Sequence, residues 1–250
     1  MFLFEIGVKF MVIELDEETI LQVKKMFKNL EKKVIIKFFE DPDSECTYCD
    51  DIEELYRIIS DLSDKVELKK YNKDSEEAKK YNVEIFPATL IHSESEEYNI
   101  RFFGFPAGYE FGALIEDIID VSQGKTRLHP LLRKILKEEI DRKVRILVFV
   151  TPTCPYCPLA VRSAHKFALE NPNIVGDMIE SIEFQQLASK YNVYTVPKII
   201  IQVNGEDKEE FEGAAPDAYL ILKILEAMDK DIPKDLELLV NQGYEETHKS

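Results

Sequence analysis

The sequence lacks any run of apolar residues long enough to cross a membrane, for which about 18 are needed. It is also poor in basic residues, with 32 Lys and Arg against 48 Asp and Glu among 250 residues. The resulting net charge of −16 speaks against a nucleic-acid binder, because phosphate contacts require clustered Lys and Arg. The 45% apolar content is enough for two domains of average size. The 32% charged content is typical of heat-adapted proteins.

The first residues lack the features of a secretory leader. The segment Met1–Phe10 is apolar but is interrupted by Glu5 and Lys9, and it has neither a basic start nor a small-residue cleavage site. A more ordinary sequence begins at Met11, so residues 1–14 are interpreted as an N-terminal extension. We therefore expect a cytoplasmic location, where paired cysteines usually serve catalysis, sensing or metal binding rather than structure.

Cysteine is scarce, but all four cysteines are paired. They form Cys46-Thr47-Tyr48-Cys49 and Cys154-Pro155-Tyr156-Cys157. Each pair is followed, at nearly the same distance, by an apolar residue and a proline that open a strand-like run, Phe86-Pro87 and Val196-Pro197. The four thiols therefore indicate two candidate redox sites in a duplicated chain.

The repeat extends beyond the cysteines, since Tyr81-Asn82-Val83 recurs as Tyr191-Asn192-Val193. Hydrophobic periodicity predicts the same order of helices and strands in both copies, including a helix that starts just after each thiol pair. Continuous apolar strands alternating with helices predict an α/β fold in which each unit has a central mixed sheet flanked by helices. The predicted segments are unit 1 at 15–122, a joint at 123–128, unit 2 at 129–229, and a C-terminal helix and tail at 230–250.

These features resemble the thioredoxin fold, and two such units in tandem resemble the protein disulfide oxidoreductases of hyperthermophilic archaea and bacteria. Those proteins are cytosolic relatives of protein disulfide isomerase. The stretches Val148–Ala160 and Phe105–Phe111 look particularly like that family. The resemblance implies an enzyme that reduces, forms or isomerises protein disulfides and needs no cofactor beyond its own disulfides. It also implies protein and peptide thiols as partners, together with a thioredoxin reductase-like flavoprotein.

The first cysteine of each pair is the predicted nucleophile. A helix N-terminus stabilises a thiolate, so Cys46 and Cys154 are assigned the attack. Cys49 and Cys157 lie one helical turn further on, where each can resolve a mixed disulfide.

The resemblance adds residues around the thiols. Pro87 and Pro197 are expected to carry cis peptide bonds facing the thiols, and Phe86 and Val196 to hold a substrate peptide through their backbone groups. The residues between the cysteines are interpreted as tuning the reduction potential of each site. For the two tyrosines, contact with substrate and simple exposure to solvent are both left open. They are Thr47, Tyr48, Pro155 and Tyr156.

The two sites are not expected to be equal. Acidic residues crowd Cys46, whereas prolines surround Cys154 and Arg162 lies further along its helix. We therefore predict that Cys154 is the more acidic thiol and the C-terminal site the more active one. Thioredoxin carries a buried Asp, which assists proton transfer, six residues before its first cysteine. Here that position is Val148 in unit 2, and Lys37 or Glu40 in unit 1.

Three alternatives stay open at this stage. Two Cys-x-x-Cys pairs could form a zinc site with four thiolate ligands. The Cys-Pro-Tyr-Cys sequence is also the glutaredoxin one, so the chain could be a dedicated electron donor to a peroxidase or another single target. A chaperone could use the same scaffold without redox chemistry. The four histidines are interpreted as solvated or capping residues.

Overall fold

A computed structural model of the chain describes residues 15–247, and the side chains of residues 15–242. The predicted extension 1–14 lies outside the described residues. The helices are α1 (Glu17–Phe27), α2 (Cys49–Asp61), α3 (Glu76–Lys80), α4 (Glu110–Gln123), α5 (Pro130–Glu139), α6 (Cys157–Glu170), α7 (Gln185–Lys190), α8 (Asp217–Ala227) and α9 (Lys234–Thr247). The strands are β1 (Val34–Glu40), β2 (Val66–Asn72), β3 (Ala88–Ser93), β4 (Ile100–Phe103), β5 (Val144–Val150), β6 (Ile174–Glu180), β7 (Lys198–Val203) and β8 (Glu206–Glu212).

The strands form one mixed eight-stranded sheet in the order β2-β1-β3-β4-β6-β5-β7-β8. Each half repeats the same pattern, with a parallel pair followed by two antiparallel additions. The halves meet through parallel pairing of β4 with β6, from Ile100 opposite Gly176 to Phe103 opposite Ile179. The predicted α/β class, with tandem mixed sheets flanked by helices, is confirmed.

Two strands are longer than the sequence pattern indicates. The hydrophobic pattern predicts a strand near 178–182, but β6 runs from Ile174 to Glu180, because Gly176 and Asp177 interrupt the apolar run without ending the strand. Gly176 allows α6 to approach closely, since a Cβ there would lie 2.7 Å from the carbonyl oxygen of Ala164. β2 continues past the apolar residues to Asn72 because, at the sheet edge, its charged side chains can reach solvent.

The two faces of the sheet are covered unequally. The larger hydrophobic core lies under the face that carries α2, α4, α6 and α8. The opposite face has a smaller core centred on Phe39, Phe103 and Phe149, covered by the short helices α3 and α7. Alternate residues of β1 divide between them, so Ile36 and Phe38 belong to the larger core and Phe39 to the smaller.

Buried ion pairs tie the two halves together. Arg101 on β4 donates to Asp177 on β6 through Nε at 2.6 Å and through a second guanidinium nitrogen at 2.8 Å. Arg145 on β5 donates to the same carboxylate at 2.6 Å. These two guanidinium groups hold the pKa of the Asp177 carboxyl below its usual range despite burial. The halves therefore form one body.

The histidine interpretation is partly wrong. His92 and His165 are buried rather than solvated, and burial lowers the pKa of His165 to about 3. Its Nδ1 lies 2.6 Å from Asp117 on α4, across the contact between α4 and α6. His129 does cap a helix, since its Nδ1 accepts from the amide of Leu131 in α5. His248 lies outside the described residues.

Candidate active sites

Both cysteine pairs lie at the same edge of the sheet. Cys46 follows the carboxyl end of β1, and Cys154 follows that of β5. The pairings make β1 and β5 parallel, with β3, β4 and β6 between them. At about 4.8 Å per strand, β1 and β5 are about 19 Å apart, so the cysteine pairs that follow them are too far apart for direct exchange or for one zinc ion bound by all four thiolates.

The C-terminal site is compact and largely buried. Cys154 and Cys157 form a disulfide with their Cα atoms 5.5 Å apart, and α6 begins at Cys157. The amide of Cys157 donates to the Sγ of Cys154 at 3.1 Å. A helix N-terminal amide placed in this way stabilises negative charge on the sulfur once the disulfide is reduced.

The proline loop faces this disulfide. The Val196–Pro197 peptide bond is cis, and the carbonyl oxygen of Val196 lies 3.7 Å from the Sγ of Cys154. The structure thus brings together the predicted nucleophile, its resolving cysteine and the predicted substrate-holding residue. Pro155 and Tyr156 lie between the cysteines with exposed side chains.

The N-terminal site has the same plan but is more open. Cys46 and Cys49 form a disulfide with Cα atoms 5.6 Å apart, and α2 begins at Cys49. Both cysteines are partly exposed, whereas Cys154 and Cys157 are buried. The Phe86–Pro87 peptide bond is cis here as well.

A lysine offsets part of the acidic charge beside Cys46. Lys73 lies 2.7 Å from Asp41 and 2.8 Å from Asp43 in the loop that precedes the cysteine. The pKa of the Asp41 carboxyl is lowered by its hydrogen bond to Lys73. Thr47 and Tyr48 are exposed between the thiols, and the Tyr48 ring lies 6.0 Å from that of Phe105.

Arg162 does not supply the C-terminal thiol with the free positive charge that its position in the sequence predicts. Its guanidinium is buried and bonded to three carboxylates of α4 instead, those of Glu116, Asp117 and Asp120. Its charge is therefore neutralised at the contact between the halves. The predicted difference between the sites then rests on the local surroundings of the two sulfurs.

In unit 1, neither Lys37 nor Glu40 occupies the position of the thioredoxin Asp. The ladders align Phe38 opposite Thr89 with Val148 opposite Ile199, so Phe38 occupies the matching position. Lys37 bonds the Tyr81 hydroxyl at 2.5 Å, and Glu40 lies 3.0 Å from Lys70. Neither unit therefore holds an acid at the position where thioredoxin has one.

A buried carboxyl group lies at the start of α4, beside the loop that leads to the C-terminal disulfide. Glu110 is 1% exposed, and neither of its carboxyl oxygens has a partner among the described residues. Burial raises the pKa of Glu110 to about 8. The amide of its neighbour, Tyr109, donates at 3.2 Å to the carbonyl of Pro152, two residues before Cys154. Sequence reasoning missed Glu110 because a glutamate in the first turn of a helix is an ordinary surface residue.

Another carboxyl group, partly buried, comes from the second half of the chain but contacts the first. Glu183, in the loop after β6, accepts from the amide of Phe105 at 2.6 Å. Burial raises the pKa of Glu183 to about 7. Phe105 contacts Tyr48, so this carboxyl from the second half supports the surroundings of the first half's disulfide.

Comparisons with known proteins agree with this geometry. Residues 144–226 match the Thioredoxin domain family model. The crystal structure of a protein disulfide oxidoreductase from Aeropyrum pernix K1 is similar, with a TM-score of 0.77 and 28% identity over 89% of this chain and 98% of that one. The structure of a mutant alkylhydroperoxide reductase AhpF from Enterococcus faecalis V583 gives a TM-score of 0.75 and 26% identity, covering 84% of this chain and 99% of that one.

A curated relative belongs to the same kind of reductase. The alkyl hydroperoxide reductase F subunit of Staphylococcus aureus strain Mu50 is 27% identical over 157 residues, which cover 63% of this chain but only 28% of that protein. The fold and its two Cys-x-x-Cys sites define a thiol–disulfide oxidoreductase. The chain is a tandem thioredoxin-fold protein with one such site in each half. Among the residues that the structure describes, no helix is long and apolar enough to span a membrane.

Proposed function

We propose that the chain exchanges disulfides with protein substrates, with the C-terminal site doing most of the work. The observation that carries this proposal is the arrangement around Cys154, where a helix amide lies on one side of the sulfur and the Val196 carbonyl on the other. The first stabilises a thiolate, and the second belongs to a backbone segment with which an extended substrate can pair. Val196 lies outside β7, which begins at Lys198.

In the reductive direction, the Cys154 thiolate attacks one sulfur of a substrate disulfide. The substrate S–S bond breaks, a mixed disulfide forms, and the leaving substrate thiolate takes up a proton. The Cys157 thiolate then attacks the Sγ of Cys154, so the second substrate thiol is released and the enzyme disulfide reforms. Two electrons pass from the enzyme dithiol to the substrate, and a dithiol or flavoprotein reductase must supply the next pair. Oxidation of a substrate is the reverse sequence.

Glu110 is the proposed proton acceptor for the resolving thiol at this site. Cys157 is buried and has to lose its proton before it attacks. A carboxyl group without hydrogen-bond partners among the described residues, held beside the Pro152 loop, can accept that proton away from solvent. The N-terminal pair acts by the same exchange as a second site, with Phe86 and Pro87 in place of Val196 and Pro197.

A second candidate function is electron delivery to a peroxidase. The similarity to alkyl hydroperoxide reductase proteins favours this function. The matched residues make up 28% of the S. aureus protein. In that role the substrate disulfide would belong to a single partner protein rather than to many. The cytoplasmic location, the heat-adapted origin and the domain boundaries given above stay predictions.

A panel of substrates separates these functions. The reduced protein is mixed with insulin, with scrambled ribonuclease and with the disulfide form of a two-cysteine peroxidase, and turnover is followed with a chemical dithiol as the reductant. Broad activity on insulin and ribonuclease is the expected result. Turnover of the peroxidase alone would move the assignment to a dedicated donor. Absence of turnover on all three would overturn the proposed function.

A further inference from the structure

The loop between β4 and α4, residues 104–109, borders the N-terminal disulfide. The amide of Gly104 donates at 3.1 Å to the carbonyl oxygen of Pro87, the cis proline of that site. The next side chain, Phe105, lies against Tyr48 between the first two cysteines, with 6.0 Å between the ring centres. The start of the loop therefore supports both the proline segment and the residues between the thiols.

The carboxyl group of Glu183, from the second half of the chain, holds the start of this loop. One of its oxygens, Oε1, accepts the amide of Phe105 at 2.6 Å. The preceding residue, Gly104, has a φ of 87°, and a Cβ there would lie 2.6 Å from the same oxygen. A larger residue would therefore push the carboxyl group away from the loop. Two consecutive amides of the loop are thus bonded to different halves, one to Pro87 and the other to Glu183.

Glu183 gains or loses its proton near neutral pH. Burial, with the negative charge of Glu180 nearby, raises the pKa of Glu183 to about 7. Glu180 on β6 and the buried Tyr56 hydroxyl on α2 are the titratable groups that face it among the described residues. Residues 104–109 contribute no Asp, Glu, Lys, Arg or His. The ionised form binds the Phe105 amide more firmly than the protonated form, because a charge-assisted hydrogen bond is about twice as strong as a neutral one.

The position of Glu183 mirrors that of Glu110 between the halves. Glu110 of the first half follows the same loop and lies beside the Pro152 segment of the C-terminal site. Each half therefore supplies a carboxyl group to the surroundings of the other half's disulfide. Their bonding differs, since Glu110 has no partner among the described residues, whereas Glu183 already accepts a backbone amide. Glu183 is thus suited to holding a backbone segment in place.

We propose that Glu183 is a positioning residue for the N-terminal disulfide. Its carboxylate fixes Gly104 and Phe105, and through them the proline segment and Tyr48, in the arrangement that binds a substrate polypeptide. When the carboxylate takes up a proton, the bond to Phe105 weakens and the substrate-binding segment is held less firmly. This inference rests on the proposed function and adds a residue of the second half to the first half's site. The chemical step stays with the cysteines, so the effect belongs to KM.

The test uses the full chain with Cys154→Ser and Cys157→Ser, so that only the N-terminal pair can react. KM and kcat for a disulfide-linked peptide are measured at pH values on both sides of 7, with a chemical dithiol as the reductant. KM is expected to fall by about tenfold as the pH rises, the difference between a neutral and a charge-assisted hydrogen bond. Glu183→Gln keeps an acceptor without the charge, so KM should stay near its low-pH value throughout. The pH dependence of kcat, which follows thiol ionisation, should remain.

Two controls separate positioning from a general loss of charge. Glu54→Gln removes an exposed carboxylate from α2 of the same half and should leave KM and its pH dependence unchanged. In the reciprocal chain, which carries Cys46→Ser and Cys49→Ser, Glu183→Gln should leave KM of the C-terminal pair unchanged. Circular dichroism of each variant verifies that the fold is kept.

Nuclear magnetic resonance gives a readout that does not depend on turnover. The amide proton of Phe105 should shift with pH about a midpoint near 7, because its acceptor titrates there. Glu183→Gln should abolish this titration, whereas Glu54→Gln should keep it. A Phe105 amide that does not titrate in the parent chain would remove Glu183 from the site.

Different failures have different meanings. If KM does not change with pH, or if Glu54→Gln alters it as much as Glu183→Gln, Glu183 does not position the site, while the proposed function stands. If Glu183→Gln lowers kcat and leaves KM unchanged, the carboxyl group acts in the chemical step and the positioning role is wrong. If the N-terminal pair alone turns over no peptide but the C-terminal pair does, only this inference fails. Absence of turnover with either pair overturns the proposed function and the inference together.

Discussion

Arg101 and Asp177 form a doubly hydrogen-bonded, buried ion pair between the parallel strands β4 and β6. Because Arg145 binds the same carboxylate from the other side, Asp177 is the centre of a charged triad that belongs to both halves. Its position opposite Arg101 in the ladder fixes the register in which the halves meet. The two disulfides are therefore held at a constant separation along one edge.

Removing Arg101 should destabilise the whole chain. Arg101→Ala leaves Asp177 with one partner in a buried site, and breaking a buried pair in this way costs about 3–5 kcal/mol in free energy of unfolding. The check is denaturant unfolding followed by circular dichroism. Lys79→Ala serves as the control, since its pair with Glu76 is exposed to solvent and contributes little. Equal losses of unfolding free energy in the two variants would show that the contact between the halves does not depend on the triad.

Glu110 should make stability depend on pH. Its pKa is about 8 in the folded chain against 4.5 for the ordinary carboxyl, so the unfolded chain loses this proton first as the pH rises. Stability should therefore fall between about pH 4.5 and pH 8, by roughly 1–4 kcal/mol from this group. Glu110→Gln should remove that part of the slope, and Glu45→Gln, an exposed position, should keep it. Unfolding curves at pH 5, 6.5 and 8 measure the difference.

The same substitution should also slow resolution at the C-terminal site. If Glu110 accepts the proton of Cys157, Glu110→Gln slows escape from the mixed disulfide by about 10²-fold at pH 8 and above, where the carboxyl has lost its own proton. Trapping the mixed disulfide by acid quench and mass spectrometry detects this delay. Initial attack by Cys154 should change little, and an unchanged lifetime of the intermediate would remove Glu110 from the mechanism.

The two cysteine pairs should contribute unequally to turnover. Cys154→Ser is expected to lower insulin reduction by about tenfold, and Cys46→Ser by much less, because Cys154 receives the helix amide at 3.1 Å. The comparison needs equal concentrations of protein and the same chemical reductant. Retention of most activity by Cys154→Ser together with its loss in Cys46→Ser would reverse the ranking.

Lys73 should tune the N-terminal thiol alone. Lys73→Ala exposes Cys46 to the full charge of Asp41 and Asp43, which raises the pKa of the reduced Cys46 and slows its alkylation at neutral pH. The measurement is the pH dependence of iodoacetamide labelling in a chain that also carries Cys154→Ser and Cys157→Ser. In the reciprocal background, with only the C-terminal pair present, the labelling profile of Cys154 should not move.

Much of the fold could be predicted because its signals are local. The duplicated Cys-x-x-Cys and proline spacing, with helical and strand periodicity around it, placed both disulfides and predicted the sheet class. The missed features depend on contacts between the halves. Nothing local to Glu110 indicates burial, which results from α4 packing against α6. The sequence places Arg162 on the helix of Cys154, and its carboxylate partners could not be predicted because they are distant in sequence. Likewise, the early part of β6 was missed because Asp177 becomes acceptable in a core only beside Arg101 and Arg145.

The parallel pairing of β4 with β6 is a head-to-tail contact, so it does not close on itself as a two-fold contact would. In the second half, β8 occupies the place that β4 occupies in the first, at the far end of the sheet. Further copies of the chain could add at β8 one after another and form a filament. β4 is Ile-Arg-Phe-Phe and buried, whereas β8 carries five acidic residues, largely exposed. This repulsive outer strand ends the array after two units, as charged edge strands do elsewhere.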